Sequence, residues 1–312
     1  MAQTRPVRIG TRGSRLALWQ AGAVRDALSR AHALPAEAFE IVPIRTSGDR
    51  IQDRALVEAG GKGLFTKEIE EALLSGAVDL AVHSAKDMQT FLPAGLIIGA
   101  YLEREDVRDA LIAPGFARME DLPPGARLGT ASLRREALAR RARPDLAIEL
   151  IRGNVPTRLK RVEAGEFHAT MLASAGLRRL GLDDHITAML PLAAFPPACG
   201  QGAVAIECRM DDASTREFLA AIDHRETDLA VTCERAFLAV LNGSCRTPIA
   251  GYARLDGGDV RFDGILLSPD GVESYAASVS GNPSEAAAIG RDAGHEIRGR
   301  APPAFLESLG IG

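Results

Sequence analysis

The feature that most constrains this 312-residue chain is a pattern that occurs twice. Val7-Arg8-Ile9-Gly10 reads as a short strand running into Thr11-Arg12-Gly13-Ser14, and Arg15 to about Arg30 then has helical periodicity, with Leu16, Trp19, Ala23 and Ala27 on one side. Ser14 is the natural N-cap of that helix. Arg127-Leu128-Gly129-Thr130-Ala131-Ser132-Leu133-Arg134-Arg135 repeats the arrangement: a strand, Gly-Thr, then a serine that opens a helix with arginine nearby. This predicts two similar α/β halves.

The segments between fit that reading. Phe39–Ile44 alternates like a strand, and Pro43 suggests an edge. Thr46 to Gly63 is polar, with glycines at 60, 61 and 63, and predicts a long mobile loop of the kind that serves as a lid. Thr66–Ser75 is helical and stops at Gly76, before an apolar run, Val78–His83, short enough for a buried parallel strand. In the second half, Leu146–Ile151 is a strand leading through Arg152-Gly153-Asn154 into a helix over Thr157–Glu163. His168–Leu172 matches the strand ending at His83. The charged connector Tyr101–Arg108 and the prolines at 191, 196 and 197 mark two crossings between halves, which predicts a hinged clamshell with its cleft between them. Beyond Asp223 the pattern changes. A helix over Leu229–Leu241, strands near Ile249–Arg254, Val260–Leu267 and Glu273–Val279, and a terminal helix predict a small α+β domain. The expected division is 1–102 with 203–222, 103–202, and 223–312.

Composition excludes several classes. The chain is 46% hydrophobic and 25% charged, ample for buried cores, and its net charge of −4 argues against a nucleic-acid partner. Arginine in Met1–Pro6 is not followed by an apolar stretch, so no secretory signal is expected, and no apolar run approaches membrane-spanning length. The four cysteines (199, 208, 233 and 245) show no CxxC pair and no zinc-like spacing, which predicts no metal and fits a reducing cytosol.

One cysteine stands apart. Cys245 lies in Leu241-Asn242-Gly243-Ser244-Cys245-Arg246-Thr247-Pro248-Ile249, a loop by its glycine and proline. Beside Arg246 an exposed thiol would have its thiolate favoured, and the thiolate is the nucleophile; the alternative is a buried structural cysteine. Each Gly-Thr turn delivers a helix N-terminus, a ready anion site, and Arg12, Arg15, Arg134 and Arg135 accompany the pair. Arg152 sits at another strand-to-helix turn, with Arg158, Arg178 and Arg179 further along. Guanidinium forks favour a carboxylate-rich ligand, against the alternative of solvated surface charges. Neither a P-loop nor a helix-opening GxGxxG is present, so nucleotide use is disfavoured. Asp87 follows a buried strand at its carboxyl end, where it could stabilise a developing cation or shuttle a proton, or simply cap a helix. His83 and Ser84 read as polar ligands or strand-end caps, and Phe65 as an aromatic cover or core.

The set Gly10-Thr11-Arg12-x-Ser14-x-Leu16-Ala17, Gly60-Gly61-Lys62-Gly63-Leu64-Phe65, Ala81–Asp87, Gly129–Arg135, Arg152-Gly153-Asn154-Val155-x-Thr157-Arg158, Gly200-Gln201-Gly202-Ala203 and Gly243–Ile249 closely resembles the porphobilinogen deaminase family, in order from about Arg8 to Gly251. The resemblance implies a monomeric, cytoplasmic enzyme of tetrapyrrole biosynthesis. Its two periplasmic-binding-protein-like α/β domains and third domain would join four porphobilinogen molecules into hydroxymethylbilane, with release of four ammonia molecules. It further implies a dipyrromethane cofactor held as a thioether by Cys245, near Ser84, Lys86, Asp87, Thr130, Ser132, Arg134, Arg135, Arg152 and Gly153. Asp87 would be the catalytic group, facing an azafulvenium-like cation. Arg12, Ser14, Gln20, Lys62, Phe65, Arg158, Arg179 and Gln201 would bind substrate. The sequence departs from the family at Met88-Gln89, where an apolar-Pro pair is usual, at Ala131, where a second serine is common, and at Cys199. A two-lobed anion-binding protein is the rival; it predicts a signal peptide and needs no tethering cysteine. A relative that binds without catalysing is the other, and Asp87 speaks against it.

Overall fold

The computed structural model describes residues 5–50, 63–243 and 247–311. Cys245, Lys62 and most of the expected lid lie outside them. The described strands are β1 (Val7–Arg12), β2 (Phe39–Ile44), β3 (Leu80–Ser84), β4 (Leu96–Tyr101), β5 (Asp109–Ile112), β6 (Arg127–Gly129), β7 (Ala147–Glu149), β8 (Ala169–Ala173), β9 (Ala188–Met189), β10 (Val204–Arg209), β11 (Ile249–Asp256), β12 (Asp259–Leu267) and β13 (Ser274–Gly281). The described helices are α1 (Arg15–His32), α2 (Ser47–Arg50), α3 (Lys67–Leu74), α4 (Leu133–Ala142), α5 (Val155–Glu163), α6 (Ser174–Arg179), α7 (Ala213–Ala220), α8 (Arg225–Val240), α9 (Ala286–Arg300) and α10 (Pro303–Ser308). They divide into two compact units. The first holds the described residues up to 105 and those of 203–228; the second holds 106–202 and the described residues from 229.

The first unit is built on a five-stranded sheet ordered β2-β1-β3-β10-β4. β1 pairs in parallel with β2 and β3, whereas β10 runs antiparallel to β3 and β4. Pro43 lies on the outermost strand, where a missing N–H costs nothing. The sheet is buried on both faces. On one, Ile9, Leu80, Val82 and Ile206 pack with Val24 and Leu28 of α1; on the other, Ala81 and Val78 meet Ile69 and Leu73 of α3. Strand β3 alternates between these two cores, which is why its sequence reads as a continuous apolar run.

In the second unit a five-stranded sheet ordered β7-β6-β8-β5-β9 repeats the same pairing senses, with β5 antiparallel to β8 and β9. Leu111, Leu128 and Met171 pack against Ala137 and Leu138 of α4, while Ala110, Ile112 and Leu172 face Leu159 and Val162 of α5. The expected repeat is therefore present in strand order and direction. A three-stranded meander, β11-β12-β13, carries its own core with Phe237 of α8 and Ala293 and Ile297 of α9. Cys199 and Cys233 are part of that core and Cys208 of the first unit's, and all three are reduced. Among the described residues no helix is long and apolar enough to cross a membrane.

Of the boundaries that differ from the sequence reading, two do so for evident local reasons. Helix α5 begins at Val155 because the Asn154 side chain accepts from Thr157 N–H at 3.0 Å and Pro156 suits a first turn. Strand β7 is only Ala147–Glu149, since its partner β6 offers just Arg127–Gly129 for pairing.

Candidate functional site

In the first unit a cavity is lined by Arg12, Ser14, Gln20, His83, Ser84 and Asp87, with Leu16, Ala17 and Val82 as its apolar part. The Gly-Thr turn makes one wall. Thr11 is fully buried, and its hydroxyl lies 3.2 Å from Val82 O and 3.3 Å from Ala17 O, tying the end of β1 to β3 and to the first turn of α1. Ser14 Oγ accepts from Ala17 N–H at 3.3 Å, which caps α1 and aims its positive end at the cavity mouth. Gln20, one turn on, is buried and bonds Ser84 Oγ at 2.9 Å, so α1 is stitched to the end of β3. Arg12 stacks its guanidinium 4.3 Å over the Phe65 ring.

Asp87 closes a single 3-10 turn, Ala85–Asp87, that leaves the carboxyl end of β3. Ala85 N–H donates to Ala203 O at 3.1 Å, and Met88 N–H to Ala85 O at 3.3 Å, so the turn is held from both ends. Asp87 and Lys86 are half-buried. Below them His83 lies within 3.2 Å of Glu207, both side chains buried. Neither carboxylate oxygen of Glu207 has a hydrogen-bond partner among the described residues, which leaves the imidazole as its close polar neighbour. Glu207 was not legible as a site residue; its strand reads as core.

The second unit holds the other predicted residues that are described. Ser132 caps α4, accepting from Arg135 N–H at 3.4 Å, and its own N–H donates to Thr130 Oγ1 at 3.1 Å. Arg134 and Arg135, only 4% and 6% exposed, converge on Asp109, which is fully buried: Arg134 reaches Oδ2 at 2.8 Å and Arg135 reaches Oδ1 at 2.7 Å. Their other contacts are Pro196 O at 2.7 Å and Met171 O at 2.9 Å. Burial would raise the Asp109 carboxyl, but the two guanidinium charges overcome it and hold the group well below the usual carboxylate range. Burial lowers the Arg134 pKa, partly offset by Asp109. Two cations against one anion leave one net positive charge in a buried site, and among the described residues both Nε–H groups lack a hydrogen-bond partner. A ligand carboxylate would therefore join an existing pair.

Gln201, also fully buried, donates to Asp109 Oδ1 at 2.9 Å and to Val107 O at 2.7 Å. Asp109, like Glu207, is a residue that sequence reasoning missed. Arg152 is half-buried and Gly153 exposed; the latter has φ +113°, and a Cβ there would lie 2.7 Å from Thr157 Cγ2, so the turn requires glycine. Arg158 Nε donates to Gly153 O at 2.8 Å, and Arg179 to Gly202 O at 2.6 Å. Thus the structure gathers Arg12, Ser14, Gln20, Ser84 and Asp87 around one cavity, and Arg134, Arg135 and Gln201 around Asp109. The described residues contain no group of metal-ligating side chains.

Residues 7–217 match the family profile described as "Porphobilinogen deaminase, dipyromethane cofactor binding domain", and residues 229–299 that described as "Porphobilinogen deaminase, C-terminal domain". A protein named porphobilinogen deaminase from Nitrobacter hamburgensis is 56% identical over 298 residues, covering 96% of this chain and 94% of the relative. Its namesake from Nitrobacter winogradskyi is 55% identical with the same coverage. Among solved structures, a nutrient binding protein from Burkholderia cenocepacia bound to methionine matches with TM-score 0.44 at 14% identity, covering 71% of this chain and 93% of that one. With both family profiles matched in order and more than half of all residues shared with such relatives, the chain belongs to the porphobilinogen deaminase family.

Proposed function

We propose that this chain makes hydroxymethylbilane from four porphobilinogen molecules, with Asp87 as its catalytic carboxylate and Cys245 as the attachment point of the dipyrromethane. The observation that carries the reading is the first unit's cavity, where the Asp87 turn, the capped N-terminus of α1 and Arg12 line one space. When bound, the dipyrromethane supplies the nucleophilic pyrrole carbon to which units are added. The chain's own groups do the rest. Asp87 accepts hydrogen bonds from pyrrole N–H groups and offsets the positive charge that develops on the substrate as ammonia leaves. It also takes up and returns protons at its carboxylate. Arg12, Ser14 and the α1 N-terminus hold substrate carboxylates, with Gln20 fixing Ser84 beside them. Phe65 supports Arg12 from beneath.

The dipyrromethane carries several carboxylates, and the net positive charge at Asp109–Arg134–Arg135, with Nε–H groups that have no partner among the described residues, fits such a group. Thr130, Ser132, Arg152 and Gly153, with Ser84, Lys86 and Asp87, complete the proposed cofactor set. Lys62, Arg158, Arg179 and Gln201 belong to substrate handling in this reading, Gln201 through Asp109. The three-domain division at 1–102 with 203–222, 103–202 and 223–312, a monomeric state and a cytoplasmic location belong to the same proposal. Intact-protein mass spectrometry tests it: the isolated protein should carry an added mass of two pyrrole units on the peptide containing Cys245. A protein that stays unmodified after incubation with porphobilinogen contradicts the assignment.

A further inference from the structure

Glu70, one turn into α3, is a carboxylate only 3% exposed. Glu207 and His83 lie near enough to act on its charge. Burial pushes its carboxyl above the usual range, hydrogen bonding from Thr66 and Gln89 pulls it back, and the nearby Glu207 charge adds to the rise. The Gln89 amide meets both of its oxygens, Nε2 lying 3.1 Å from one and 3.3 Å from the other, and stands 3.5 Å from Thr66 Oγ1. The same amide lies against Gly63, where a Cβ would come within 2.6 Å of Nε2 and where φ is +77°. Gly63 O in turn accepts from Thr66 N–H at 3.0 Å and Lys67 N–H at 2.9 Å, forming the turn that opens α3 and carries Phe65 under Arg12.

Gln89 is two residues beyond Asp87, and Met88 between them is buried. One side chain therefore joins the exit of the Asp87 turn to the turn bearing Phe65. We propose that Gln89 is a positioning residue for the reaction: bonded to the buried Glu70 carboxylate, it fixes the Asp87 turn against the Gly63–Thr66 turn, and so sets Asp87 relative to Arg12. The inference rests on the reading of Asp87 as the catalytic group. A carboxylate–amide bond is directional and charge-assisted, whereas an apolar side chain at 89 would leave Glu70 buried without its amide partner. Small displacements of a catalytic group act on turnover more than on binding.

The test uses the holoenzyme and the pair Gln89→Glu and Glu70→Gln. Gln89→Glu sets two carboxylates together and should lower kcat roughly tenfold, with KM for porphobilinogen within about twofold of the parent. The double variant Glu70→Gln/Gln89→Glu restores the amide–carboxylate pair with roles exchanged and should recover most of kcat. In the same samples, amide hydrogen exchange at Met88 and Thr66 should quicken roughly tenfold in Gln89→Glu and return in the double variant. Gln89→Leu serves where Gln89→Glu does not fold. Parent kcat in Gln89→Glu or Gln89→Leu, or a double variant that regains thermal stability without kcat, overturns the inference. An Asp87→Ala control separates the two readings. If it is inactive while the Gln89 variants turn over normally, only the positioning role fails; if it turns over at the parent rate, the reading of Asp87 fails and this inference with it.

Discussion

Replacing Asp109 with asparagine removes one negative charge from between two guanidiniums that are 4% and 6% exposed. The substitution leaves a single acceptor oxygen where the carboxylate had served Arg134 at 2.8 Å, Arg135 at 2.7 Å and Gln201 at 2.9 Å. The cluster then goes from one net positive charge to two in a buried site, and removing one partner of a buried pair costs about 3–5 kcal/mol. With a urea m-value of about 3 kcal/mol per molar, the second unit's unfolding midpoint should fall by about 1–1.7 M. Gln201→Ala, which removes one hydrogen bond to the same carboxylate, should cost about 1 kcal/mol and provides the scale. The pH dependence has a definite sign. The Asp109 carboxyl is held low in the folded state, so its contribution is complete above the ordinary carboxylate range, about pH 4, and is lost as pH falls toward the depressed folded value. The parent should therefore lose stability on acidification more steeply than Asp109→Asn. Urea titrations of both proteins at neutral pH and at about pH 3 read this out. A neutral-pH loss under about 1 kcal/mol would refute the picture of two charged, buried guanidiniums sharing one anion.

Three further outcomes are expected. Asp87→Ala should lower turnover of porphobilinogen by roughly 10²–10³-fold, the scale of losing one preorganised electrostatic contact, while thermal stability stays near the parent's; rapid quench of hydroxymethylbilane formation checks it. Ser14→Ala removes the cap of α1 and should destabilise the first unit by about 1 kcal/mol, measured by its denaturation midpoint. Burial pushes the Cys208 thiol up to about 11 and the Cys233 thiol up to about 12, so neither should react with iodoacetamide in the native protein at pH 8, as peptide mapping would show.

How much was legible can be judged from particular residues. Ser14, Ser132 and the helices they open are local events, set within four residues, and they stand where the sequence places them. Pro43 on an edge strand is equally local. The repeat predicted two like sheets, and their matching strand order follows. What escaped was set by distant partners. Asp109 closes a charged stretch that reads as a solvated connector, and only arginines from α4 and an amide from residue 201 bring it inside. Arg134 and Arg135 were legible as an anion site, but their internal counter-ion was not. Glu207 sits mid-strand in β10, and nothing short of the β3 pairing reveals that His83 meets it. Met88-Gln89 stood out as a departure from the family pattern, yet the Glu70 partner lies on another helix.

The place of β10 in the first sheet bears on how the chain is made. This strand lies between β3 and β4, yet it is separated from Tyr101, the last residue of β4, by about 100 residues of the second unit. At ribosomal speeds of 5–20 residues per second, β3 and β4 emerge with a gap between them for roughly 5–20 s. During that interval each exposes an unpaired edge, and α1 and α3 have only part of a sheet to cover. Nascent chains shorter than about 210 residues should therefore need holding by a chaperone, and fragments ending before Val204 should aggregate even though they contain every cavity-lining residue around Asp87.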